Sequence, residues 1–141
     1  MKRQKALRVG FILIIMVAWV MVPQAYGQEK SKESAEFTIA RLVVGTGVEN
    51  AEPAGVAETF PASTEQVFCF LEATNIAKEA EVSFVWFYGQ KEMLKTTLSL
   101  KMGPRWRTYA NKNLRGLKGD WKVEIRDPDG NVLKDVKFKV E

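Results

Sequence analysis

The chain has 141 residues, of which 46% are hydrophobic and 27% charged; its formal net charge is +4, with one cysteine and no histidine. The missing histidine removes the usual general base, the Ser-His-Asp arrangement and the commonest zinc ligand. A single cysteine excludes an internal disulfide and a thiolate metal site, so a folded domain must rest on its apolar core.

Residues 1–8 hold Lys2, Arg3, Lys5 and Arg8 and no acid. Residues 9–22 form an almost unbroken apolar run, and Pro23-Gln24-Ala25-Tyr26-Gly27 places small residues at the −3 and −1 positions of a cut. This is the layout of a secretory signal peptide. The run of 14 residues falls short of the roughly 20 that span a bilayer. We expect a signal helix over residues 1–27 and cleavage after Gly27; the alternative is an uncleaved N-terminal anchor presenting the same domain. No cysteine stands near the cut for lipid attachment. The expected location is periplasmic or extracellular, or, with the anchor retained, on the inner membrane facing the periplasm.

The four surplus cations all sit in the leader, so residues 28–141 balance 17 basic against 17 acidic residues. Nucleic acid is not an expected partner on that balance, and contact with a membrane is expected only through an uncleaved N-terminus. Residues 28–36 are polar and lack an apolar anchor, which reads as a disordered tether. Residues 37–141 are enough for one domain with a real core.

That domain reads almost wholly as strands. Residues 37–44 are followed by a Gly45-Thr46-Gly47 break, and a short strand over 56–60 stops at Pro61. Residues 66–74 and 81–88 are rich in aromatic and β-branched types, which suit a pleated surface. Asn75-Ile76-Ala77-Lys78-Glu79-Ala80 reads as a hairpin connection between them. Residues 93–101 alternate Leu98, Leu100 and Met102 against Thr97, Ser99 and Lys101, and Gly103-Pro104 separates this run from a strand over 106–110. Residues 111–119 read as one helical turn or a bent loop.

Trp121, Val123 and Ile125 alternate with Lys122, Glu124 and Arg126, and Val136, Phe138 and Val140 alternate with Asp135, Lys137 and Lys139. A period of two turns one face inward and the other to water. Asp127-Pro128-Asp129-Gly130-Asn131 joins the two as a tight turn. Its opening resembles a calcium loop, but the acidic residue needed at loop position 12 is Phe138. Seven or eight short strands with Gly, Pro, Asn and Asp between them predict an all-β, antiparallel, Ig-like or fibronectin-like β-sandwich.

The remaining chemistry is sparse. Glu49, Glu52, Glu58, Glu72, Glu79 and Glu81 fall mostly at expected loops or strand ends, where solvated acids are ordinary, so a carboxylate-based hydrolase is not favoured. No cofactor or metal is expected. Cys69 lies in an apolar run and reads as a small core residue.

The candidate binding residues are Arg105, Trp106, Arg107, Tyr109 and Lys112, with Trp86 and Tyr88. Arginine beside aromatics is what protein interfaces favour. By alternation Trp106, Thr108 and Ala110 share one face and Arg105, Arg107 and Tyr109 the other. Trp106 is read as either core or binding face, the core being favoured because buried tryptophan is common in such domains. The strand at 82–88 is apolar on both faces, so it is either central and covered or exposes a patch through Trp86 and Tyr88.

Several stretches together resemble a known family. They are Phe60-Pro61, Gln66-Val67-Phe68-Cys69-Phe70, Val85-Trp86-Phe87-Tyr88, Gly103-Pro104-Arg105-Trp106-Arg107-Thr108, Gly119-Asp120-Trp121-Lys122-Val123-Glu124-Ile125 and Asp129-Gly130-Asn131-Val132-Leu133. Across residues 51–140 they resemble the bacterial domain-of-unknown-function family 2914. The resemblance implies a small β domain exported from, or anchored in, bacterial membranes, and brings no catalytic residues. The expected function is a non-enzymatic interaction module with an unknown envelope protein, or alternatively a cell-wall or capsular glycan held on exposed Trp and Tyr.

Overall fold

A computed structural model describes residues 36–141; the leader at 1–27 and the tether, up to its last residue, lie outside the described residues. Ten strands follow in chain order: β1 (Thr38–Gly45), β2 (Gly47–Glu49), β3 (Glu52–Ala54), β4 (Thr59–Phe60), β5 (Gln66–Ile76), β6 (Ala80–Tyr88), β7 (Lys91–Leu100), β8 (Gly103–Asn113), β9 (Gly119–Arg126) and β10 (Val132–Val140). Seven of them run for eight to eleven residues, where the sequence pattern predicts seven or eight strands in all. Among the described residues there is no helix, and none long and apolar enough to cross a membrane.

Two sheets face each other. One has three strands in the order β1-β5-β8, the other five in the order β4-β10-β9-β6-β7. Pairings within both are antiparallel except that β4 joins β10 in parallel through Thr59 and Phe60. Between the sheets lie Leu42 and Val44 of β1, the Val67, Cys69, Leu71 and Ala73 row of β5, Phe84 and Trp86 of β6, Trp121, Val123 and Ile125 of β9, and Phe138. Phe138 is the hub of the aromatic packing. It stacks on Trp121 with centroids 5.9 Å apart and meets Phe60 and Trp86 edge-on at 5.8 and 6.3 Å. Such pairs add to what area burial alone contributes.

The alternation of β9 and β10 places Trp121, Val123 and Ile125, with Phe138 and Val140, inward as read, but the outward row of β9 is not fully in water, because Glu124 is buried between Lys122 and Arg126. Cys69 is fully buried, and burial pushes its thiol above its ordinary range, which leaves it a core residue with little thiolate character. The Asp127 turn closes on itself. Gly130 N–H donates to the Asp127 carbonyl, while Asn131 donates from its backbone and its side chain to the two carboxylate oxygens at 2.9 and 3.0 Å. Partial burial alone would raise the Asp127 pKa, but these bonds outweigh it and hold the group below its usual range.

Four readings change or are decided. Asn75-Ile76-Ala77-Lys78-Glu79-Ala80 is not a hairpin connection: β5 and β6 belong to different sheets, and the segment arches across the sandwich with Asn75 at a φ of 53°. The break after β1 holds an unforeseen hairpin, β2–β3, turning through Asn50 and Ala51 at positive φ. Of the two readings of residues 111–119 the bent loop holds, but only beyond Asn113: β8 continues to that residue, and the loop after it turns at Arg115 and Gly116. Gly103-Pro104 does not precede β8 but begins it, which an edge strand tolerates.

Candidate functional site

Strand order decides what each candidate residue does. β6 lies between β7 and β9, so both its edges are paired, and its inner row faces the other sheet. Its inward row, Val82, Phe84 and Trp86, is 0–1% exposed. On its outer row Val85 is also fully buried, and Phe87 is flanked by Lys122 Nζ at 4.9 Å and the Arg126 guanidinium at 5.6 Å from its ring. Arg126 donates to Glu124 at 2.9 Å, which closes this polar cover. Trp86 is therefore not a surface residue, and its indole N–H has no acceptor among the described residues. Tyr88 is half-buried and occupied: its ring packs 5.0 Å from Trp121 and its hydroxyl donates to the Lys118 carbonyl, fixing the β8–β9 loop. Neither belongs to a binding face with β8.

Lys112 departs too. It sits at the far end of β8, on the side of Trp106, with its Nζ 6.0 Å from the Trp121 ring and donating to the Asn113 carbonyl at 2.8 Å. Burial and the neighbouring Arg115 charge pull its pKa below the ordinary lysine range. Trp121 donates to the Leu117 carbonyl at 3.0 Å beneath the same loop. These contacts pack the loop.

Arg105, Arg107 and Tyr109 share the outer face of the three-stranded sheet, as the alternation requires. The register aligns Arg107 with Glu72 and Glu72 with Arg41 across the three strands. Arg107 Nε donates to Glu72 at 2.8 Å and its Nη2 lies 3.0 Å from Glu52; Arg41 reaches Glu52 at 2.9 Å and Glu72 at 3.6 Å. Arg41 also lies over the Phe70 ring at 4.9 Å, and Phe70 is buried although it faces outward. The β2–β3 hairpin supplies Glu52, so this network fastens it to the sheet. Arg107 is thus an internal strut. Arg105 stands at the rim, 57% exposed and 4.0 Å from Glu72.

Glu72 occupies the middle of β5 rather than a strand end, with 15% of its side chain exposed. The Arg107 hydrogen bond, then the charges of Arg41, Arg107 and Arg105, overcome its desolvation and hold its pKa below the ordinary range. A carboxyl whose pKa falls on folding stabilises fully above its unfolded value of about 4.3, and that contribution is lost as pH drops through the folded value. Denaturation midpoints of the parent and Glu72→Gln should therefore differ most at neutral pH and converge in acid. A pH-independent difference would show that the ionised carboxylate contributes nothing.

Of the candidate residues on β8, Arg105, Trp106 and Tyr109 remain exposed. Trp106 is 37% exposed and Tyr109 47%. Trp106 turns to the inward side, opposite Ala73 of β5, yet stays open because β8 ends its sheet. Tyr109 sits on the outer face against Phe68, with centroids 5.7 Å apart. Glu52, Glu72, Arg41 and Phe70 were not singled out as a group, since they come from separate strands and carry no local pattern.

No curated protein sequence matches the chain. Among solved structures, an immunoglobulin-like protein from Pseudomonas aeruginosa superposes with a TM-score of 0.53 at 14% identity, covering 76% of this chain and 98% of that one. This likeness shows an Ig-like fold. Segments of β-glucosidases from Listeria innocua and Trichoderma reesei also align, with TM-scores of 0.48 each and identities of 8% and 12%. They cover 75% and 76% of this chain but only 16% and 19% of those enzymes. Residues 79–140, from just before β6 to the end of β10, match the model of the family described as protein of unknown function (DUF2914), the family that the sequence resembles.

Proposed function

We propose that the chain is an exported, non-catalytic interaction module of the bacterial envelope that holds a protein partner through β8. The observation that carries this is the exposure of Arg105 and Tyr109 on one face, and of Trp106 on the other, of a strand that ends its sheet. Arginine and aromatic side chains dominate binding energy at protein interfaces. The leader supplies the argument for export. Glu52 and Glu72, the two acids that approach each other, are both taken up by guanidinium groups, and a depressed pKa suits a strut better than a general acid. The glycan reading loses support from the same geometry. Trp106 and Tyr109 lie on opposite faces of the strand and Trp86 is buried, so the three form no common flat platform.

Photo-crosslinking in the producing cell tests this, with p-benzoylphenylalanine placed at position 106 or 109 and, as a control, at 137 on the other sheet. A discrete protein adduct is expected from 106 and 109 and not from 137. No adduct at any position, or the same adducts at all three, would overturn the reading.

A further inference from the structure

From residue 93 to residue 119 the chain has seven lysines and arginines and no aspartate or glutamate. In space this stretch comprises most of β7, all of β8, their connection and the loop that follows. β7 ends the five-stranded sheet and β8 ends the three-stranded one. Being consecutive, with only Lys101 and Met102 between them, they border the same side of the sandwich. Leu94, Met102 and Trp106 are exposed there at 38%, 70% and 37%. Lys95 and Arg115 have no carboxylate within 4.0 Å among the described residues, and Arg105 is only at that limit from Glu72. Apolar groups at an open sheet edge, rimmed by unneutralised cations, define a surface with a definite chemical demand.

We infer that the free edge of β8 takes up an extended acidic segment of the partner protein as an added strand, with its acidic side chains on the Arg105 face and its apolar ones on the Trp106 side. This rests on the reading of β8 as the interaction surface and specifies what that surface binds. Three features support it. Every second residue of an edge strand directs its N–H and C=O outward, so main-chain pairing supplies affinity while alternate side chains supply specificity. On β8 those alternate faces differ: Arg105 and Tyr109 line the outer one, Trp106 the inner one. Pro104 has no N–H and limits pairing at the start of the strand, leaving the stretch from Arg105 onward.

The charge also selects against a second copy of the chain. Pairing β8 with a second copy would bring this stretch, which has no acidic residue from 93 to 119, against its own kind, a repulsion of the sort that keeps sheet edges from self-association. An acidic strand turns the same cations into attraction.

The test uses the protein as its cell produces it, with fluorescence anisotropy of a labelled peptide of alternating valine and glutamate, about ten residues long. A second peptide of the same sequence carries backbone N-methyl groups at alternate positions, and labelled polygalacturonate serves as an anionic glycan. The parent should bind the first peptide, more weakly as salt rises. Arg105→Glu should lose at least about tenfold in affinity, Trp106→Ala should lose a similar amount, and the N-methylated peptide should bind far less. Lys137→Glu, the same charge change on the other sheet, should bind like the parent. Unchanged thermal midpoints in all three variants establish that the fold is intact.

Equal binding of the N-methylated peptide would overturn strand addition, and equal loss in Lys137→Glu would reduce the attraction to net charge. Both outcomes leave the interaction module standing. Binding of polygalacturonate without the peptide would overturn this inference and the protein-partner reading together. If neither polymer binds, the acidic-strand inference fails and photo-crosslinking decides the module on its own.

Discussion

Trp86→Ala should cost about 3–5 kcal/mol of folding stability, the range for emptying a large aromatic from a packed core. In a domain of this size each kcal/mol moves Tm by roughly 4–8 °C, so a fall of at least about 12 °C is expected in a thermal melt. The side chain is fully buried, meets Phe138 edge-on and sits on a strand paired on both edges in the larger sheet. Trp86→Phe should lose much less, because it keeps the ring against Phe138 and removes an N–H that has no acceptor. Trp106→Ala is the contrast. Its side chain is partly in water at a sheet edge, and its removal should change stability by about 1 kcal/mol or less. A stable Trp86→Ala protein would contradict this packing. The two tryptophans would then have exchanged the roles given to them here.

Those two residues also show how far the sequence could be read. Both stand in aromatic-rich runs with arginine or tyrosine nearby, and alternation alone places each on a face without saying whether anything covers that face. Cover is a property of strand order. β6 is internal because β7 and β9 flank it, while β8 is terminal because nothing follows it in the smaller sheet. Strand order depends on contacts between distant segments, so the local pattern favoured burial for Trp106 and left Trp86 a surface candidate. The β9–β10 hairpin was legible for the opposite reason. Each of its strands alternates apolar residues that face inward with polar ones that face outward, and its turn is built from adjacent residues, Asp127 to Asn131.

The Arg41–Glu52–Glu72–Arg107 network lies at the other extreme. Its members are 11 to 66 positions apart in sequence, and each taken alone is an ordinary charged residue. Only the register of β1, β5 and β8 brings three of them into one row, and only the unforeseen hairpin adds Glu52. The candidate site was thus half legible. Alternation correctly grouped Arg105, Arg107 and Tyr109 on one face, but the division of labour between a free Arg105 and a committed Arg107 depends on partners the pattern does not contain.

The hairpin gives the second large effect, through a glycine. At Gly45, the last residue of β1, an added Cβ would run into the backbone carbonyl of Ala54 in β3. The obstacle is a main-chain atom, so no side-chain rotation relieves it, and β3 must move away from β1. Gly45→Ala should therefore destabilise by about 1–3 kcal/mol, and Gly45→Val by more. Gly47→Ala is the control within the same hairpin. Its Cβ would meet nothing nearer than the Ala54 Cβ at 4.0 Å, an ordinary contact, and stability should hardly change. Displacing β3 also pulls Glu52 from Arg41 and Arg107, so Glu52→Gln should matter in the parent and add little in the Gly45→Ala background. Such non-additivity is the signature of groups acting through one element. Full additivity in urea denaturation would mean that the hairpin stays seated and that the glycine and the ion cluster act independently. Non-additivity would establish that one close backbone contact at Gly45 holds Glu52 in place, and with it the guanidinium groups that leave Arg105 as the exposed cation on β8.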